Sequence, residues 1–349
     1  MAYTTIDKPS DYFEAKLWSG NATDDRAISG LDFAPNWVWI KNRTDSNSHA
    51  IFDTVRGATK YIESDTTDAE ATGATFLKSF TSDGFTLGTA GRVNANSQNY
   101  VAWNWLAGGS ASSNTDGSIT STVSANQISG FSIVSWTGSG SSATIGHGLG
   151  STPKFIIVKN RTDSVNWFVY HNSVITASAT NKSFMTLNTT DALGTNGSAT
   201  TFTSVSDTTF GVGTDNIING SSDNMIAYVF ADTGNKFFKA GSYVGNGSNS
   251  GTYIHTGFSP SFVIMKRTDS SGAWYTLDNK RPEYNPKDKY LSPNSSNAEA
   301  TFVFWDFLSS GFKIRNTGLE NNASGGSYIY MAFAESPFVT STGIPTTAR

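Results

Sequence analysis

Pro35-Asn-Trp-Val-Trp-Ile-Lys41, followed by Asn-Arg-Thr-Asp45-Ser, is the first of three matching stretches in this chain. The second is Pro153-Lys-Phe-Ile-Ile-Val-Lys159, again followed by Asn-Arg-Thr-Asp163-Ser. The third is Pro260-Ser-Phe-Val-Ile-Met-Lys266, followed by Arg-Thr-Asp269-Ser and so one residue shorter. Proline and lysine stand six residues apart in every copy. Val, Ile, Trp and Phe at consecutive positions, closed by an Asn/Asp turn, specify a strand. Because neighbouring residues are all apolar, both faces of that strand need cover. A central strand would meet that need, and so would one lying against a neighbouring subunit.

Working outward, the same landmarks flank each copy. An aromatic and a glycine turn precede it: Trp18-Ser-Gly-Asn, Trp136-Thr-Gly-Ser and Tyr243-Val-Gly-Asn. A second strand follows it: His49-Ala-Ile-Phe-Asp53, Trp167-Phe-Val-Tyr-His171 and Trp274-Tyr-Thr-Leu-Asp278. Next come Ser82-Asp-Gly-Phe-Thr-Leu-Gly88, Ser206-Asp-Thr-Thr-Phe-Gly-Val-Gly213 and Ser309-Ser-Gly-Phe-Lys-Ile314. Each copy closes on a strand centred on alanine: Tyr100-Val-Ala-Trp103, Met225-Ile-Ala-Tyr228 and Tyr330-Met-Ala-Phe333. In that strand Val101, Trp103 and Trp105 share a face, with Ile226, Tyr228 and Phe230 at equivalent places, and the alternation marks this face as the core side of each module. The prolines are 118 and 107 residues apart, which is a domain period and too long for a solenoid or propeller.

These features predict an all-β chain of three tandem antiparallel β-sandwich modules of jelly-roll type. An N-terminal arm occupies residues 1–10, and the modules occupy 11–106, 128–232 and 233–335. The Gly/Ser/Thr-rich stretch 107–127 is expected to be a flexible or extended linker. The short connection between modules two and three predicts that those two pack as a unit, and the tail 336–349 is expected to run extended over a surface. Residues 11–18 make at most a short helix or an edge strand.

Composition excludes several functions. The 349 residues carry 24 basic and 28 acidic side chains, a net charge of −4, with no basic cluster to suit nucleic acid. Cysteine is absent, which removes disulfides, thiolate nucleophiles and Cys-ligated zinc. The start has no apolar core of a signal peptide, and no apolar run reaches about 18 residues, so the chain is expected to be soluble, with no secretion signal and no membrane insertion. Aromatics are 13% of residues, enough to fill small sandwich cores.

The chemistry-bearing residues do not recur as a catalytic set. His49, His147, His171 and His255 are the only histidines, and no carboxylates stand at metal-ligand spacing to them, so no metal or cofactor is expected. His147 and His255 precede matching turns, where a ring nitrogen bonding turn backbone is the favoured role. The end of the second strand is Asp53, then His171, then Asp278, an exchange that a shared acid–base function would not survive. The acids from Glu63 to Glu70 lack counterparts in the other copies and read as a solvated loop. These acids and the loop around Glu283 are nevertheless where a glycoside-cleaving pair would be sought. The Lys-Asn-Arg-Thr-Asp turn could present Lys41, Lys159 and Lys266, with Arg43, Arg161 and Arg267, to an anionic partner. A hairpin turn braced by Arg–Asp pairs is preferred. No Gly-X-Ser-X-Gly elbow occurs, and Gly138-Ser-Gly-Ser lacks the lysine and helix of a phosphate loop.

The opening Met1-Ala-Tyr-Thr-Thr-Ile-Asp-Lys-Pro-Ser-Asp-Tyr-Phe, the Trp-Val-Trp-Ile-Lys-Asn-Arg block and the closing Ala-Glu-Ser-Pro-Phe-Val resemble a family of tailed-bacteriophage virion proteins of marine phages, often called tail-fibre or virion structural proteins. The resemblance spans essentially the whole chain, and its modules look like concanavalin or laminin-G-type sandwiches. It implies a non-enzymatic virion component of a tail fibre, baseplate or capsid surface, with other virion proteins as partners. A homo-oligomer, most plausibly a trimer, is expected from the doubly apolar strands and from what fibre proteins resemble. A lectin-like module that reads host-surface glycan is the alternative, and a polysaccharide depolymerase the second alternative.

Overall fold

The computed structural model describes residues 3–346. Strands Phe13–Ser19, Asn99–Trp105, Trp37–Asn42 and Ala50–Asp53 lie side by side in that order, antiparallel throughout. The same order recurs as Phe131–Thr137, Asn224–Ala231, Pro153–Asn160 and Phe168–His171. It recurs again as Phe238–Val244, Ser327–Pro337, Phe258–Arg267 and Trp274–Asp278. These are the opening, closing, Pro-to-Lys and return strands of each module. The Pro-to-Lys strand is central, as its unbroken apolar run requires.

A second antiparallel sheet faces each of these. It comprises Arg26–Ile28, Gly84–Leu87 and Leu77–Thr81 in the first module, and Ala143–Gly146, Thr209–Val212 and Phe202–Val205 in the second. In the third it is Tyr253–His255, Gly311–Ile314, Ala300–Leu308 and Lys287–Tyr290. The fold is therefore all-β, as predicted; a one-turn helix precedes each closing strand, at Gly91–Asn94, Asn216–Asn219 and Leu319–Asn322. Each of these helices ends in a buried asparagine whose amide donates to nearby loop carbonyls: Asn94 to Thr23 and Gly88, Asn219 to Ser141 and Gly213, Asn322 to Ser248 and Asn316. The glycine after each opening aromatic passes so close to this corner that a Cβ on Gly20, Gly138 or Gly245 would strike the carbonyl of Ala95, Gly220 or Ala323.

Strand register revises the third closing strand. Ile40 pairs with Ala102 and Val158 with Ala227, but Met265 pairs with Tyr330. Tyr330, not Ala332, is the counterpart of the two alanines, so Trp105, Phe230 and Phe333 are equivalent, as are Trp103, Tyr228 and Met331.

The face carrying Val101, Trp103 and Trp105 is not the interior of its own sandwich. That interior is lined by the opposite face, with Val38, Ile40, Phe52 and Ala102 against Leu77, Phe85 and Leu87. The Trp103 face joins one core shared by all three modules. There Trp37 stacks on Tyr228 at 4.4 Å, Trp103 meets Phe262 edge-on at 5.4 Å, and Phe333 lies 5.6 Å from Trp105 and 5.7 Å from Phe230. Each fully buried ring of this kind stabilises by about 1.5–3 kcal/mol. The doubly apolar strands are thus covered on their second side by the other modules of the same chain. A second copy is not needed to cover them.

The stretch 107–127 is not a tether. Ser121–Asn126 pairs with the opening strand of module two, and Ser112–Asn114 pairs with Ser121–Asn126; with Met185–Thr186 added beyond Phe168–His171 at the other edge, that sheet has seven strands. The small polar residues of Ser112–Asn114 suit an edge strand, while Ala107 joins the shared core and Ile119, Val123 and Ala125 pack against the core of module two. Phe13–Ser19 is the expected edge strand. Thr4 and Ile6 of the arm are buried, and in the tail the backbone amide of Ser341 donates to Asp7.

Candidate functional site

The repeated polar residues converge on three junctions between modules. The segment after each return strand reaches across to the next module: one onto two, two onto three, and three onto one. Trp167 Nε1 donates to the Glu63 carbonyl (2.9 Å) and Trp274 Nε1 to the Thr186 carbonyl (2.8 Å). The equivalent His49 accepts at Nδ1 from Trp39 and sets Nε2 3.0 Å from the Ser292 carbonyl. Lys159 and Lys266 donate across the same junctions to the carbonyls of Thr67 and Thr190, while Lys41 is buried with its ammonium on the Asn42 carbonyl. Burial holds all three lysines down at about 8, with neighbouring carboxylates opposing the shift.

The return strands end on the same boundary. Asp53 accepts from Tyr228 Oη (2.8 Å) and Asp278 from Trp103 Nε1 (2.9 Å), while His171 Nε2 lies 3.2 Å from the Tyr330 carbonyl. The exchange of Asp for His follows the partner: where the next module offers Tyr or Trp the position is Asp. Where it offers Met331 it is His, which uses backbone instead. Burial lowers His171 to about 4. Burial pushes the Asp278 carboxyl up, but the Arg281 guanidinium and the Trp103 hydrogen bond outweigh it and hold it below its ordinary value.

The acids from Glu63 to Glu70 correct the sequence reading. Glu70 accepts both forks of Arg161 (2.8 and 3.0 Å) as well as Arg56, and Glu63 is buried against Arg92. Glu70 also has a counterpart, since Glu299 holds Arg43 (2.9 and 2.8 Å) and Arg281 in the same way. Backbone pairing identifies the third member: Glu70 N donates to Arg161, Glu299 N to Arg43, and Leu193 N to Thr268. Two junctions are thus ionic and the third apolar, with Leu193 and Val174 where the others place Glu and Arg.

Arg43 and Arg161 are therefore engaged inside the molecule. The expected Arg–Asp brace occurs once, in Arg267–Asp269, because the shorter third turn points that arginine elsewhere. Asn42 and Asn160 shape their turns by accepting at Oδ1 from the backbone amides two and three residues on. His147 bonds turn backbone, accepting from Leu149 N, with Nε2 3.3 Å from the Ser206 carbonyl. His255 lies exposed beside Tyr253. Among the described residues no cluster of three His or acidic side chains could hold a metal. Glu283 lines a surface cleft of about 430 Å³ with Glu335, Tyr284 and Lys287.

Another cleft, of about 240 Å³, opens between the sheets of module three. Its wall is a cluster of rings: Tyr275, Tyr290 and Phe304 lie 4.9–5.2 Å apart, and Phe302 continues it at 5.3 Å. Asn321, 1% exposed, lines the same cleft, and neither atom of its amide finds a hydrogen-bond partner in the protein. The equivalent residues of the other helices are Val93 and Ile218, both fully buried in their own module's core. The sequence held a signal here, in Gly-Arg-Val-Asn94, Asn-Ile-Ile-Asn219 and Leu-Glu-Asn-Asn322, but the helices are too short for a period to expose it.

An all-β protein of antiparallel sandwiches, locked to one another by buried polar and ionic junctions, is the class that this arrangement defines. The chain belongs to the family described as Domain of unknown function (DUF7483), which matches residues 8–337. No curated protein matches it.

Proposed function

We propose that this chain is a non-enzymatic structural protein of a bacteriophage virion, a rigid block of tail fibre, baseplate or capsid surface that acts through protein–protein assembly. The closed ring of junctions carries the reading. Residues repeated from module to module, which in an enzyme would be the first candidates for catalysis, are spent on locking each module to the next. A body fixed in this way offers surface loops in constant relative positions, which is what an assembly component requires. The virion assignment itself is supported by the resemblance of the opening and closing sequences to tailed-phage proteins. Mass spectrometry of gradient-purified particles of a phage encoding the chain, with a cryo-EM map of those particles, tests it. The chain should appear at fixed stoichiometry in ordered density, and its absence from clean particles would sink the proposal. Turnover of host envelope polysaccharide that disappears in Glu283→Gln would overturn the non-enzymatic part.

A further inference from the structure

The geometry points to the module-three cleft as a binding site for a neutral saccharide, one pyranose ring seated on the aromatic wall with its hydroxyls on the Asn321 amide. This goes beyond the assembly role and stands without it. A buried amide with no partner costs about 1–3 kcal/mol relative to a satisfied one. The fold has no need of it, because modules one and two place Val93 and Ile218 at this position. An amide offers one acceptor and two donor hydrogens, and a sugar hydroxyl both donates and accepts, so two adjacent hydroxyls would satisfy it.

The rest of the cleft fits the same ligand. Pyranose rings carry an apolar C–H face, which the rings of Tyr275, Tyr290 and Phe302 can cover. Thr301 and the Glu320 carboxylate stand at the rim, both exposed. Glu320 accepts from hydroxyls and disfavours an anionic sugar. The first module provides an internal comparison. There Arg92, at the position of Glu320, lies 6.0 Å over the rings of Tyr61 and Phe76 and closes the corresponding space. In module three that position is turned to solvent and the rings stay open. An apolar peptide side chain would fill the wall but leave the Asn321 amide unsatisfied, which favours the sugar. At about 240 Å³ the site is smaller than the ~300–1,000 Å³ of drug-sized pockets, and one ring suits it.

The test uses the full chain and saturation-transfer NMR with methyl glycosides of glucose, galactose, mannose and N-acetylglucosamine, plus N-acetyl-tyrosinamide as the peptide-like probe. At least one glycoside should show transfer, weakened about tenfold or more in Phe302→Ala and in Asn321→Val. Asn321→Val should melt no lower than the parent, since it restores the residue type of the other modules; Phe302→Ala alters an exposed ring. Loss of binding in these folded variants supports the site. No transfer to any glycoside, unchanged transfer in both variants, or binding of the tyrosinamide alone would each overturn it.

Discussion

Trp103 and Asp278 lie 175 positions apart and in different modules, yet the indole Nε1 donates to the carboxylate Oδ2 at 2.9 Å with both side chains fully buried. Arg281 completes the arrangement, donating to the same oxygen at 2.6 Å while lying over the Trp103 ring. The bond closes the ring of modules, because it ties the third to the first. Trp103→Ala should destabilise by about 3–5 kcal/mol, the range for truncating a large buried aromatic. Trp103→Phe, which keeps most of the ring contact but removes the donor, should cost about 1–3 kcal/mol. Denaturant melts give both values, and a loss below about 1 kcal/mol for the alanine variant would remove Trp103 from the shared core.

The ionic and apolar junctions should be partly interchangeable. Glu70→Leu leaves Arg161 and the fully buried Arg56 short of a carboxylate and should cost about 3–5 kcal/mol. Adding Arg161→Thr reproduces the Leu193–Thr268 pairing of the second junction and should recover a substantial part of that loss. A double-mutant cycle measures the coupling, and simple additivity would show that Arg161 and Glu70 act independently.

Acid should weaken the fold before the bulk of the carboxylates protonate. His171 titrates at about 4 in the folded chain, below an ordinary value of 6.5, so the unfolded chain binds its proton first. Its contribution is full above pH 6.5 and is lost progressively as pH falls toward 4. His49, also held well below its ordinary value by burial, adds in the same direction. His171→Gln should flatten the slope of stability between pH 6.5 and 4; an unchanged slope would show that the ring is not the group responsible.

The buried lysines act at the other end. With Lys41, Lys159 and Lys266 at about 8 when folded, against an ordinary value of 10.5, the unfolded chain holds more protons between those values. Stability should therefore rise as pH increases from about 8 toward 10. Lys159→Met should reduce that rise. A chemical melt series across this range reads the effect, and stability that falls uniformly above about pH 8 would contradict it.

The shared core removes the doubly apolar strands as a ground for expecting a homo-oligomer. With the apolar faces of all three modules buried against one another, light scattering at micromolar concentration should give the 37.3 kDa mass of one chain. A mass three times larger would show the homotrimer, held by contacts other than these strands.

Local chemistry made much of this legible in the amino-acid order. Apolar β-formers closed by Arg-Thr-Asp turns set the strands, and the constant spacing from Pro35 to Lys41, Pro153 to Lys159 and Pro260 to Lys266 set their correspondence. Backbone sterics and turn hydrogen bonds act within a few residues, so they leave a trace in sequence. What covers each face of a strand is different in kind. Alternation shows that Trp103 and Ala102 point to opposite sides, but not that the Trp103 side meets another module. Nor does it say which module supplies Asp278. The Glu70–Arg161 and Glu299–Arg43 pairs, and the exchange of Asp53 and Asp278 for His171, gain their meaning only from contacts across more than ninety positions. Asn321 is likewise silent in order alone. Its amide matters because the folded chain has buried it beside open aromatic rings, where the other two modules bury a hydrocarbon.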